Sequence, residues 1–224
     1  MAHEKNLKIK YKAVLFDLDG TLSESAPGIR YSLEETLKKM GQPVPDLSDY
    51  SVYVGPPLIN TLMNLCSMTK EEAENATEIY RGIYNTVGKY KNKLYDGIEE
   101  LLIALKDSDA KIAVATSKYE PFAEDVIKII GAYDYFDKIC GSNLDGSRKN
   151  KKDIVEYARK ELGLSENDKM VLVGDTFYDT KGALAAGIDF IGVNYGYGNK
   201  ALMVESGGKN FADTPMDILK FLTD

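Results

Sequence analysis

The segment VLFDLDGTLSES (14–25) sets Asp17 and Asp19 one residue apart, directly after the apolar run AVLF, with Gly20 and Thr21 following at once. Two neighbouring carboxylates repel, and burying either without a partner is expensive. An Asp-Gly turn accounts for Asp19 and Gly20 but leaves Asp17 unexplained. Further on, Thr116 and Ser117 close the apolar run in AVATSK, and Asp175 and Asp179 follow another in VLVGDTFYDTKGA. The lysine-rich stretch GSRKNKKD (146–153) precedes the helical pattern between those two runs. Each feature alone reads as a turn, a helix cap or a solvated face. Together, at one edge of one sheet, they put four carboxylates, hydroxyl donors and a lysine around one pocket. Such crowding calls for a cation. Oxygen donors without His or Cys favour a hard ion, and a phosphate co-ligand favours Mg²⁺. With one carboxylate free to attack, the inventory suits phosphoryl transfer.

These residues need a scaffold that gathers strand ends. Short apolar runs recur at AVLF (13–16), KIAVAT (111–116), FDKIC (136–140), MVLVG (170–174) and FIGVN (190–194). None alternates with polar residues, as expected of strands covered on both faces. Helical patterns in GIEELLIALKDSD, PFAEDVIKIIGAY and KKDIVEYARKELG separate the last four, so the chain is expected to be an α/β protein with a Rossmann-like, doubly wound parallel sheet. In such sheets ligands bind at the carboxyl ends of the strands, where strand order reverses. The long stretch between the first two runs exceeds the dozen or so residues that a crossover requires. It carries three apolar stripes at helical spacing: Ile29, Leu33, Leu37 and Met40; Leu58, Leu62 and Leu65; and Ala73, Ala76, Tyr80, Ile83 and Val87, the last opened by a capping box at Thr69–Glu72. The expected division is a core of residues 1–24 and 94–224 with a helical cap of residues 25–93, hinged near Leu22–Ser25 and Lys93–Tyr95. Gly55, Pro56 and Pro57 fit a rigid loop facing the site, or equally a helix-starting turn.

Bulk properties narrow the partners. The chain has 224 residues, enough for one large domain or a smaller one with an insertion. Its net charge of −7, with no long basic run, argues against nucleic acid or an anionic membrane surface. No stretch approaches the roughly 18 apolar residues that span a bilayer, and MAHEKNLKIKYK lacks the apolar core of a signal peptide. Cys66 and Cys140 belong to no C-x-x-C pair, so free thiols in a reducing cytoplasm are expected. His3 is the only histidine, which argues against histidine acid–base chemistry and His-ligated zinc. A monomer or weak homodimer is expected, since no long coiled-coil pattern is present.

DLDGT (17–21), VATS (114–117) and GDTFYD (174–179) resemble the first, second and fourth motifs of the haloacid dehalogenase-like hydrolases. The resemblance covers nearly the whole chain, including a helical cap inserted after the first motif. GPPL (55–58), YDG (95–97), GSNLDGSR (141–148) and YGYG (195–198) are similar to the subgroup of phosphoglycolate phosphatases and 5′-nucleotidases. The resemblance implies a small phosphorylated metabolite as substrate and Asp17 as nucleophile, forming an aspartyl-phosphate. It implies Asp19 as the acid that protonates the leaving oxygen and then the base that activates water. Mg²⁺ would be held by the Asp17 carboxylate, the Asp19 backbone carbonyl and Asp175, with Asp179 acting through water. Thr116 would bond the transferring phosphoryl group, with the backbone around Ser117 and Leu18 assisting and Gly20 counted among the substrate-binding positions. The third motif is a single lysine. Lys149, Lys151 and Lys152 compete: counting back from ELG (161–163) selects Lys149, but spacing to the following helix and similarity to subgroup sequences with lysine two before an acid favour Lys151, which is the lysine expected in the site. Arg81, on the third cap helix, is a candidate for an anionic substrate group or a solvated residue. Three rivals share parts of this pattern: a dehalogenase, a phosphomutase and a non-catalytic phospho-receiver module. A dehalogenase has no need of Asp19 or Mg²⁺.

Overall fold

The computed structural model describes residues 7–223, so His3 lies outside the described residues. The first strand, β1 (Ala13–Phe16), is fully buried. A short ribbon strand β2 (Ser23–Glu24) follows, then α1 (Ala26–Lys39), α2 (Leu58–Leu65) and α3 (Lys70–Thr86), before β3 (Lys93–Leu94) returns. The remaining chain alternates: α4 (Ile98–Lys106), β4 (Lys111–Tyr119), α5 (Glu120–Ile129), β5 (Lys138–Ser142), α6 (Lys151–Glu161), β6 (Met170–Gly174), α7 (Phe177–Ala185), β7 (Asp189–Val193), α8 (Lys200–Glu205), β8 (Asn210–Ala212) and α9 (Leu219–Leu222).

Six strands form one parallel sheet in the order β5-β4-β1-β6-β7-β8. The chain steps outward from β1 through β4 to β5, then crosses back to β6 on the other side of β1. The order therefore reverses around β1, and the ends of β1, β4 and β6 lie side by side. Alternate side chains of β1 enter separate cores. Val14 and Phe16 join Leu101 and Leu102 of α4 and Val126 and Ile127 of α5, while Ala13 and Leu15 join Ile154 and Val155 of α6 and Ala183 of α7. This two-sided burial is why the strands read as unbroken apolar runs.

The helical insertion leaves and rejoins the core through the antiparallel pair β2–β3, where Ser23 faces Leu94 and Glu24 faces Lys93. Its apolar residues are continuous with the first core, including Ile29, Leu33 and Leu37 of α1 and Leu62 of α2. The Thr69–Glu72 capping box opens α3. The buried face of α3 differs from the expected stripe: it runs Ala73, Ala76, Tyr80, Tyr84, with Ile83 half-buried and Val87 exposed beyond the helix. Met40 likewise caps α1 instead of lying within it.

Three strand boundaries depart from expectation. β4 continues past Thr116 to Tyr119, and its register against β5 shifts between Ala115 and Tyr119. Such an irregularity bends a strand and re-aims its side chains, here Thr116, Ser117 and Lys118. β5 and β7 are displaced from the runs 136–140 and 190–194 to 138–142 and 189–193. The sixth strand, β8, was not expected. Cys66 and Cys140 are both free. Among the described residues, no helix is long and apolar enough to cross a membrane.

Candidate active site

Asp17 follows β1 directly, and its N–H donates to Val173 O of β6 at 2.9 Å, extending the ladder. Leu18 O then accepts from the N–H groups of Thr21, Leu22 and Ser23, winding residues 18–23 into a tight turn. Gly20 sits in that turn at φ 86°, and a Cβ there would overlap Asp175 Oδ2. Only glycine offers both the left-handed backbone and the missing methyl. On the far side of β1, Asp175 caps β6 and is fully buried. Asp175 Oδ2 accepts from the N–H groups of Tyr197 and Gly198 at 2.9 and 3.2 Å, and Oδ1 from Thr21 Oγ1 at 3.3 Å. Asp179 closes a capping box at the start of α7, where Oδ2 accepts from Thr176 N and Oγ1 at 3.0 and 2.6 Å.

Asp17, Asp175 and Asp179 converge: one oxygen from each lies within 4.8 Å of the others, and all three residues are buried. Lys151 enters from the first turn of α6. Its Nζ lies 2.8 Å from Asp17 Oδ1 and 2.7 Å from Asp179 Oδ1, and it donates to Ala115 O at 3.0 Å. Of the three competing lysines, Lys151, the one expected, is buried in the site, whereas Lys149 is exposed at the cleft wall and Lys152 is exposed. One ammonium cannot balance three carboxylates, and the titration behaviour reflects this. Burial, opposed by Lys151 and reinforced by Asp179, pushes Asp17 up to about 6. Burial, with Asp179 and Asp17 adding to it, also holds Asp175 well above the usual carboxylate range despite its two backbone donors. For Lys151 burial acts in the lowering direction, but Asp17 and Asp179 together outweigh it and raise the ammonium above its ordinary value. When all three acids are ionised, two negative charges stay uncompensated. An all-oxygen donor set with that deficit fits a hard divalent cation.

The fourth carboxylate turns elsewhere. Asp19, expected to hold the metal through its backbone carbonyl and to act through its carboxylate as acid and base, lines the cleft with Asp17 and forms an ion pair with Lys118, Oδ2 to Nζ 2.8 Å. Lys118 was missed because it lies just past the expected end of its strand, where a lysine reads as a solvated residue. Thr116 is buried beside it, and its Oγ1 accepts from Lys118 N at 3.2 Å.

Asp17, Asp19, Thr116 and Ser117 form the floor of a cleft of about 980 Å³ between the core and the insertion. Tyr80, Arg81 and Tyr84 of α3 supply the opposite wall, with Gly55, Pro56 and Pro57 along one side. Gly55 (φ 102°) packs onto Thr176, where a Cβ would lie 2.8 Å from Cγ2. Arg81 reaches the cleft, but its guanidinium is paired with Glu78 of its own helix and lies 5.9 Å from the centroid of the Tyr119 ring. Gly20 is not among the residues lining the cleft; it stands behind Asp175.

The sequence profile described as haloacid dehalogenase-like hydrolase matches residues 14–193. The tyrosine-protein kinase PtkA of Mycobacterium tuberculosis is 41% identical over 185 residues, which cover 83% of this chain and 62% of that protein, so this chain spans less than two thirds of its length. The solved PtkA structure superposes with a TM-score of 0.82 at 37% identity, covering 95% of this chain and 98% of that one. A 5′-nucleotidase of Pseudomonas aeruginosa is 34% identical over 196 residues, 88% of each chain. A phosphoglycolate phosphatase of Thiobacillus denitrificans is 30% identical over 200 residues, 86% of this chain and 87% of it. This chain belongs to the haloacid dehalogenase-like hydrolase family.

Proposed function

We propose that this haloacid dehalogenase-like hydrolase is a cytoplasmic, Mg²⁺-dependent phosphatase. Its substrate is a small phosphomonoester of the phosphoglycolate or nucleoside 5′-monophosphate type, cleaved through an aspartyl-phosphate on Asp17. The observation that carries this reading is the buried Asp17 carboxylate, held by Lys151 at the floor of a cleft and flanked by two further carboxylates. Phosphatases and nucleotidases among its relatives support the same class.

Asp17 and Asp175 would hold Mg²⁺, together with the Asp19 backbone carbonyl, with Asp179 acting through water. When bound, the ion neutralises the carboxylates and the substrate phosphate. Lys151 holds one Asp17 oxygen and leaves the other to attack phosphorus. Thr116 and Ser117 at the bent end of β4 bind the phosphoryl oxygens. Asp19 gives a proton to the departing oxygen as the P–O bond breaks, then takes one from the water that opens the acyl phosphate. Residues 25–93 act as the cap, hinged at the β2–β3 ribbon, and read the leaving group across the cleft.

Quenched mass spectrometry tests the division of labour. Asp17→Asn is expected to carry no phosphoryl label, and Asp19→Asn to carry label on Asp17 while turning over slowly. Label on any other residue would overturn the assignment. A second reading follows from the 41% identity to a protein named as a tyrosine kinase: the phosphoryl acceptor is then a tyrosine hydroxyl instead of water. Labelled phosphate appearing on a tyrosyl acceptor, in place of free phosphate, would select that reading. A phosphomutase would return a phosphorylated isomer instead, and a receiver module would hold its label without turnover.

A further inference from the structure

Lys118 has the features of a working residue and no part in the chemistry assigned so far. It stands at the bent end of β4, with its side chain 9% exposed. Burying a long cation requires compensation, and two groups provide it. Asp19 Oδ2 is 2.8 Å from Nζ. The ring of Tyr84, on the insertion helix α3, lies with its centroid 4.6 Å from the same nitrogen. The Lys118 N–H is tied to Thr116 Oγ1.

Tyr84 is itself fixed. Its hydroxyl accepts from Asn92 Nδ2 at 3.3 Å, and Asn92 Oδ1 accepts from Ser23 Oγ at 3.0 Å. Asn92 immediately precedes β3 and Ser23 begins β2, so the chain of contacts ends on both strands through which the insertion joins the core. It also returns to its origin: Gly20 N, one residue after Asp19, donates to Ser23 O at 2.9 Å.

The state of the Asp19 carboxylate completes the argument. Oδ2 is held by Lys118, whereas Oδ1 is buried with no hydrogen-bond partner among the described residues. A carboxylate clamped by one oxygen presents the other in a fixed direction, and Asp19 lines the cleft floor beside Asp17 and Thr116.

We propose that Lys118 is a positioning residue for Asp19: it clamps one carboxylate oxygen and so fixes the orientation of the whole carboxylate at the cleft floor. Tyr84 of α3 holds the clamp in place from the insertion side. The inference rests on the proposed role of Asp19 as proton carrier. Its consequence is specific to the step that needs Asp19 as base, the attack of water on the Asp17 acyl phosphate. That step forms the water oxygen–phosphorus bond, breaks the bond from phosphorus to Asp17, and leaves the water proton on the Asp19 carboxylate.

An aryl phosphate with a good leaving group isolates this step, because its release needs little proton donation. Lys118→Met is expected to lower kcat by roughly tenfold to a hundredfold, the range for a misplaced catalytic group, with KM nearly unchanged. A burst of aryl alcohol should precede the slow phase, and quenched protein should carry label on Asp17. Lys118→Arg keeps the charge and should recover part of kcat; should the Met variant not fold, label accumulating in the Arg variant above wild type carries the same test. The double variant with Asp19→Asn should turn over no more slowly than Asp19→Asn alone, because Lys118 acts through Asp19. If Asp19→Asn accumulates label and neither Lys118 variant does, the clamp is refuted and the role of Asp19 stands. If Asp19→Asn accumulates none, the role of Asp19 falls and the clamp falls with it.

Discussion

The Lys151 ammonium stands 2.8 Å from Asp17 Oδ1, joining residues 134 positions apart in the chain. The two meet because α6 begins beside the ends of β1 and β4, and the first residue of the helix points its side chain inward. The pair fixes which Asp17 oxygen is free.

Removing that cation should be felt in both stability and activity. Lys151→Met leaves three buried carboxylates with no ammonium among them, and breaking a buried pair in this way costs about 3–5 kcal/mol. Phosphate release should fall by at least about a hundredfold, as when a group stabilising transition-state charge is lost. Chemical denaturation and a phosphate assay on the same preparation check both. A variant with normal turnover would remove Lys151 from the site.

The carboxylate cluster makes the metal-free protein sensitive to pH in a definite direction. Asp17 moves from its ordinary value of 3.8 up to about 6 on folding. The folded state therefore binds the proton more tightly than the unfolded chain. This contribution to stability is complete below the unfolded value and is lost as pH rises through about 6. A divalent cation offsets the same charge, so added Mg²⁺ should raise Tm more at about pH 7.5 than at about pH 5. Thermal melts with and without chelator measure it. An equal shift at both pH values, or none, would count against metal binding at these carboxylates.

Gly20 tests the packing behind Asp175. Gly20→Ala places a Cβ on Asp175 Oδ2 and forces alanine to φ 86°. Strain of this kind costs about 1–3 kcal/mol. Because Asp175 must shift, the variant should also bind Mg²⁺ more weakly, seen as a smaller Mg²⁺-induced rise in Tm than in wild type. A stability loss with an unchanged Mg²⁺ response would make Gly20 a turn residue only.

Arg81 separates recognition from chemistry. If it meets the leaving group across the cleft, Arg81→Ala should raise KM for an anionic metabolite far more than for a small aryl phosphate. Equal effects on the two substrates would mean that its pairing with Glu78 is its whole role.

The parallel sheet was legible because its strands are buried on both faces and so appear as unbroken apolar runs. The helical insertion was legible because its length and periodicity exceed what a crossover needs. Asp17 and Asp175 could be singled out because each follows such a run immediately, where the backbone of a strand end fixes the next residue's place; Asp179 lies four residues beyond Asp175, in the first turn of the helix that follows. β8 and the ribbon strands β2 and β3 escaped, since two or three residues carry no periodicity. Tyr84 was passed over for Ile83 and Val87, because hydropathy favours the aliphatic residues while the cleft beneath α3 accommodates a ring. Spacing to the following helix favoured Lys151 over Lys149, and the contact itself belonged to tertiary structure: residues two apart on a chain entering a helix point in different directions, and Lys151 is the one that meets Asp17. The pairing of Asp19 with Lys118 was also decided there. Lys118 stands where the register of β4 against β5 is irregular, and that irregularity leaves no mark on the order of residues.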